Sequence, residues 1–204
     1  TIARLLFGLY EPDEGAVLVD GSEVRQFEPD ALRSRIGSTM QDTVLFSGTV
    51  RDNITLGRRD IDDEEMLRAA RLSGTHEFMA AVPNGYEKRL ADRGEGLSGG
   101  QRQSIAMARA LAGRPKVLLF DEPSSHLDTQ GEAMMLDRLR QEVADRTLVV
   151  ITHRTPFLKL VDRLIVVDRG RIVGDGPRDE VLSRMRGQPV GHVTTDAIGD
   201  RSGR

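Results

Sequence analysis

The residues best suited to chemistry are two adjacent carboxylates, Asp121 and Glu122, which end the apolar run Val117–Phe120. A continuous apolar run predicts a strand buried on both faces of a parallel sheet. The C-terminal end of such a strand is where open α/β sheets place ligands. Upstream, Leu97-Ser98-Gly99-Gly100-Gln101 reads as a glycine-rich turn opening a helix. Ser98 is a natural N-cap, and Gly99 and Gly100 leave backbone N–H groups free, so the turn is a ready anion site. His153 ends a second apolar run, Thr147–Thr152, and Gln41 follows a third short strand pattern at Ile36–Met40.

The elements that must position these groups follow from periodicity and punctuation. Thr1–Tyr10 predicts a helix with Ile2, Leu5, Leu6 and Leu9 on one face. A turn and a short strand closed by Gly21 come next, then a short helix at Ala31–Arg35. A mostly helical insertion begins at residue 44, with charged helical sequence over 62–82 and a turn at Pro83-Asn84-Gly85. Gly113 and Pro115 stop the helix that Ser98 opens. Gly131–Val143 predicts an amphipathic helix with Met134, Met135, Leu139 and Val143 inward, Arg163–Val173 a hairpin through Arg169-Gly170, and Pro177–Met185 a last helix. Residues 187–204 turn to Gly, Asp, Thr and Arg and are expected to be disordered. Strands alternating with helices predict an α/β sheet covered on both faces.

Composition narrows the function classes. A formal net charge of -3, with no basic tract, argues against a nucleic-acid partner. Six Phe, two Tyr and no Trp offer no aromatic platform for bases. There are no cysteines for disulfides or thiolate metal sites. No apolar run approaches the roughly 20 residues of a membrane span.

Four motifs in order, LSGGQRQ, VLLFDEP, SSHLD and ITHR, resemble the ATP-binding-cassette (ABC) ATPase domain. The resemblance covers residues 1 to about 186. It implies a P-loop NTPase-like α/β fold with a mostly parallel core sheet and a helical subdomain at approximately residues 44–112. Leu97–Gln101 is similar to the family signature, Val117–Glu122 to the Walker B strand with its catalytic glutamate, and Ser124–Asp128 to the D-loop. His153 corresponds to the switch histidine and Gln41 to the Q-loop glutamine. Thr1 resembles the last Thr of the phosphate-binding loop GxxGxGK[ST]T, so the preceding glycines and lysine are expected upstream of this sequence. The piece alone is expected to bind ATP weakly and to be nearly inactive.

The resemblance implies the chemistry. Phosphoryl transfer depends mainly on positioning and charge stabilisation. Asp121, with Gln41, would hold Mg²⁺, which takes oxygen ligands and keeps much of its water. Glu122 would be the base that polarises the attacking water, with His153 and Gln41 keeping water and phosphate in register. Leu97, Ser98, Gly99, Gly100 and Gln101 would cap ATP bound to a second ABC ATPase domain in a head-to-tail homodimer, and Asp128 would reach across to that partner's site. Thr1 would lie on the nucleotide.

VLFSGTVRDNI and GYEKRLADRGEGLSGGQRQ are similar to the exporter branch, and THRTPFLKLVDRLIVVDRGRIVGDGPRDEVL looks most like the type I secretion ATPases. That implies a transmembrane domain in the same polypeptide, a periplasmic adaptor and outer-membrane channel, and a place at the cytoplasmic face of the bacterial inner membrane. The expected cargo is an unfolded adhesin or RTX-like protein. The alternatives are a lipid or small-molecule exporter, or a non-hydrolysing regulatory ABC module. Two departures stand out: Ala91-Asp92 replaces the usual Gly-Glu, and His126 occupies a D-loop position that is usually small. His76 and His192 read as ordinary polar residues, Met66, Met79, Met134 and Met135 as core filling, and Asp60–Glu65 as a solvated helix start.

Overall fold

The computed structural model describes residues 2–187. In chain order the elements are α1 (Ile2–Leu6), β1 (Leu18–Val19), β2 (Ser22–Glu23), α2 (Pro29–Arg33), β3 (Ile36–Thr39), β4 (Gly48–Thr49), α3 (Val50–Thr55), α4 (Asp63–Ser73) and α5 (Thr75–Met79). They continue with β5 (Arg89–Leu90), α6 (Gly99–Leu111), β6 (Val117–Asp121), α7 (Thr129–Glu142), β7 (Thr147–Ile151), β8 (Arg163–Asp168), β9 (Arg171–Pro177) and α8 (Arg178–Gly187). Two compact units result, one running to Leu160 and the other starting at Val161.

The first unit is built on a three-stranded parallel sheet in the order β3-β6-β7. Strand alternation divides its core. Leu118 and Phe120 are fully buried in the large cluster shared with the helices, whereas Leu119 lies in a smaller cluster with Ala3 and Phe7. The sheet is therefore covered on both sides, as the apolar strand predicts. It belongs to the mixed α/β class with a parallel core.

Helix α6 crosses β3 so closely that Gly37 is required there. A Cβ at residue 37 would overlap the Ala110 carbonyl oxygen and come within 2.6 Å of Pro115 Cγ. Ile54, Met66, Ala69, Ala70 and Met79 from α3, α4 and α5 close over Ile105, Met107, Ala108 and Leu111. Local signals place the helix starts: Thr49 and Asp52 form a capping box on α3, and Asp62 accepts the Glu65 N–H on α4.

Several expectations need correcting. The first helix ends at Leu6, and its buried side chain is Ala3, with Phe7 just beyond; Ile2 and Leu9 are exposed. The helical stretch over 62–82 is two helices, broken where Gly74 takes φ +83°. Met134 points outward, while Met66, Met79 and Met135 are buried. After the Pro83-Asn84-Gly85 turn, β5 pairs antiparallel with β4.

In the second unit β8 and β9 form an antiparallel hairpin with a register shift at Val166/Val167. Val181 of α8 is buried, and Gly174 packs on Val166 and Val181. Thr1 and the expected tail beyond Gly187, including His192, lie outside the described residues.

Candidate active site

Parallel register brings the chemical residues to one edge of the sheet. Asp121 pairs with Ile151 and Thr39 with Phe120, so Asp121, Glu122, Thr152, His153 and Gln41 all leave the sheet at its C-terminal edge. The chain turns sharply at Glu122, which takes φ +49°, and its N–H donates to the Ile151 carbonyl at 2.9 Å. A left-handed conformation costs a residue with a Cβ roughly 1–2 kcal/mol and persists where its surroundings over-determine it.

The Glu122 carboxylate is held from β7's end. Oε1 accepts the His153 N–H at 3.1 Å and lies 2.8 Å from His153 Nδ1, and Oε2 accepts the Thr152 hydroxyl at 3.2 Å. An ionised carboxylate only accepts, so Nδ1 carries the proton of this bond and Nε2 is left on the solvent side. The Asp121 carboxylate accepts no hydrogen bond among the described residues. Burial raises its carboxyl pKa, and the adjacent Glu122 raises it further.

A carboxylate without a hydrogen-bond donor at a sheet edge, as at Asp121, suits a hard divalent cation such as Mg²⁺. Among the described residues no group of three or more His, Cys, Asp or Glu could hold a metal alone. Gln41 is exposed at the same edge and offers a further amide oxygen.

The turn at Leu97–Gln101 is a complete capping box. Gln101 N–H donates to Ser98 Oγ at 3.1 Å, and Ser98 N–H donates to Gln101 Oε1 at 3.0 Å. The Leu97 carbonyl accepts from Arg102 at 2.6 Å. The Gly99 and Gly100 N–H groups are not used by the cap and are free for an anion. These glycines have a second reason to exist. A Cβ at residue 99 would lie 2.9 Å from His126 Cδ2, and one at residue 100 would lie 3.2 Å from the His126 carbonyl oxygen. Asp128 caps α7, accepting the Gly131 N–H at 2.7 Å.

Four supporting residues were not singled out from the sequence. Glu132 accepts from Ser124 Oγ and, at 3.1 Å, from Arg154, which also donates to the Ser124 carbonyl at 2.6 Å. Arg109 donates to the Asn53 carbonyl at 2.7 Å, the Val44 carbonyl at 2.9 Å and Asn53 Oδ1 at 2.9 Å, with Phe46's ring centroid 5.1 Å from its guanidinium carbon. Burial pulls Arg109 down to about 10, so it stays charged at neutral pH. Asn53 in turn brackets Phe46, accepting its N–H and donating to its carbonyl, both at 2.8 Å. The one local signal available was the position of Arg154 directly after His153.

A parallel sheet whose C-terminal edge carries an acidic pair and a histidine, beside a glycine-rich helix start, is an α/β site suited to a phosphate-bearing ligand. The chain belongs to the ABC transporter family, whose model matches residues 1–125. It is an ABC ATPase domain of exporter type, a kind of domain that binds and hydrolyses ATP with Mg²⁺.

The chain is 40% identical over 187 residues to the toxin RTX-I translocation ATP-binding protein of Actinobacillus pleuropneumoniae, covering 92% of this chain and 26% of that protein. The leukotoxin export ATP-binding protein LtxB of Aggregatibacter actinomycetemcomitans is 38% identical, with the same coverage. The structure of a bacterial Atm1-family ABC exporter with ATP bound matches with a TM-score of 0.84 and 38% identity, over 90% of this chain and 32% of that one. The chain thus spans about a quarter of the length of the curated relatives it matches.

Proposed function

We propose that this chain is the ATPase domain of an exporter that drives protein cargo across the bacterial inner membrane by type I secretion. The observation that carries the hydrolytic part is the 2.8 Å contact between His153 Nδ1 and Glu122 Oε1. Glu122 is the base that polarises the attacking water, and His153 orients it. His153 is also placed to meet phosphate through Nε2. Bridging a carboxylate and a phosphate takes an N–H on both ring nitrogens, so the imidazolium is the form that does both.

Asp121, with Gln41, would hold Mg²⁺, which would supply charge neutralisation on the phosphates. Leu97–Gln101 serve ATP on a second copy, and Asp128 lies toward that copy. The pairing is a head-to-tail homodimer. Residues 1–186 form the ATPase domain, with the helical subdomain at approximately 44–112.

Transmembrane helices of the same polypeptide couple the domain to a periplasmic adaptor and an outer-membrane channel, and the domain sits at the cytoplasmic face. Relatives named for toxin translocation, at 40% identity, support the protein cargo. The likeness to an Atm1-family exporter supports a second reading, an exporter of some other cargo.

The deciding experiment uses the full-length chain. Glu122→Gln should lower steady ATP turnover by at least about 100-fold while ATP-driven dimerisation is kept. Turnover near wild type would remove Glu122 from the reaction and favour a regulatory module. Secretion of a co-expressed RTX-like protein, lost in the same variant, tests the cargo.

A further inference from the structure

Gln103 is nearly fully buried, at 3% exposure, yet it carries a polar amide. A buried amide is costly unless hydrogen-bonded. All of its hydrogen bonds go to one turn, Glu122–His126. Nε2 donates to the Glu122 carbonyl at 3.0 Å and to Ser125 Oγ at 3.4 Å, and Oε1 accepts the His126 N–H at 3.1 Å. Ser125 Oγ in turn lies 2.9 Å from His126 Nδ1.

Gln103 and Gly99 are four residues apart on α6 and so share one helix face. The His126 ring rests against Gly99, and its N–H is tied to Gln103. The left-handed residue Glu122 has its N–H anchored on Ile151 and its carbonyl held by Gln103 Nε2 and, at 3.2 Å, by the Ser125 N–H. Its backbone is thus pinned between β7 and α6.

We propose that Gln103 is a positioning residue for hydrolysis. Through Gln103, the main chain of Glu122, the D-loop at His126 and the glycine turn at Gly99 are held as one rigid piece. Losing the amide lets the Glu122 peptide relax from its left-handed conformation and swings the carboxylate out of register. ATP binding should survive, because Gln103 is too deeply buried to touch nucleotide. The inference rests on the assignment of Glu122 as the hydrolytic base.

The test compares Gln103→Met, similar in length but without the amide, and Gln103→Glu, which keeps an acceptor for His126 N–H but gives no donor to the Glu122 carbonyl. In the full-length chain, kcat should fall by about 10-fold or more in both, with KM for ATP and ATP-driven dimerisation changed by no more than about 3-fold. Backbone amide exchange over residues 122–126 should speed up about 10-fold in Gln103→Met, with that over 105–111 unchanged.

Turnover at the wild-type level in both variants overturns the proposal, as does loss of ATP binding in step with turnover. If both variants unfold, the wild-type chain still decides. Its His126 amide, in an exposed turn, must be protected from exchange, and free exchange there also overturns the proposal. The two readings separate cleanly. If Glu122→Gln keeps turnover, the hydrolytic role falls and this proposal with it. If Glu122→Gln abolishes turnover and Gln103→Met keeps it, only the role of Gln103 falls.

Discussion

His153 and Glu122 are joined at 2.8 Å although the imidazole is 82% exposed and the carboxylate only 16%. The carboxylate is the fixed member, held also by the His153 N–H and the Thr152 hydroxyl. The ring is the member that can swing. Replacing His153 by Ala therefore leaves Glu122 with two of its three donors and removes the group that faces solvent. The expected result is a fall in kcat of about 100-fold, with little change in KM for ATP, measured by steady-state turnover of the full-length chain.

Gly99 and His126 should be energetically coupled. Gly99→Ala places a methyl group 2.9 Å from His126 Cδ2, so the ring must move. Gly99→Ala is expected to destabilise the protein, and His126→Ala to cancel part of that loss. A coupling energy of about 0.5–3 kcal/mol from denaturant titrations of the four proteins is expected. Strict additivity would show that the ring moves aside freely.

Stability should fall in acid through Glu65. Burial would raise its pKa, but hydrogen bonds from Arg68 and Arg114, the charge of Arg68 and the Gly113 N–H lower it from 4.5 to about 2. A depressed folded-state pKa contributes stability above the unfolded value, lost as pH falls from about 4.5 towards 2. Arg68 extends the cluster to Glu142, which Arg146 also meets. Glu65→Gln should cost about 2–3 kcal/mol at pH 7 and flatten the fall in stability between pH 5 and 3 by about the same amount. Urea midpoints across that range measure both.

Gly37→Ala should be severe despite the small size of the change. The new methyl group meets the Ala110 backbone, which cannot rotate away. A loss of about 1–3 kcal/mol or more is expected, against about 0.5 kcal/mol or less for Ser38→Ala on the opposite, half-buried face of β3. Thermal unfolding of both variants compares them directly.

Much of the candidate site was legible because its signals are local. The apolar runs ending in Asp121-Glu122 and at His153 mark strand ends, and register in a parallel sheet carries those ends to one edge. The capping residue Ser98 was readable from its type at a glycine-rich helix start, and in the fold it forms a capping box with Gln101. Position on a helix face was less legible. Met134 and Met135 are neighbours of identical type, and only packing against the large core decides that Met135 is the buried one. The break at Gly74 was obscured because the charged and apolar pattern continues across it.

What the sequence determined by itself was the order of motifs, the parallel α/β class and the residue types gathered at one sheet edge, since each follows from near-neighbour spacing. Only the tertiary structure decided how those residues are held. The bond between Glu122 and His153 spans 31 positions, that between Gln103 and Glu122 spans 19, and that between Arg154 and Glu132 spans 22. Such contacts depend on strand register and on how closely α6 crosses β3. A hydrogen bond tolerates only a few tenths of an ångström of error, and no local pattern in the chain encodes a distance across the sheet. The left-handed turn at Glu122 is of the same kind: besides the local Ser125 N–H bond to its carbonyl, its anchors at Ile151 and Gln103 come from separate elements.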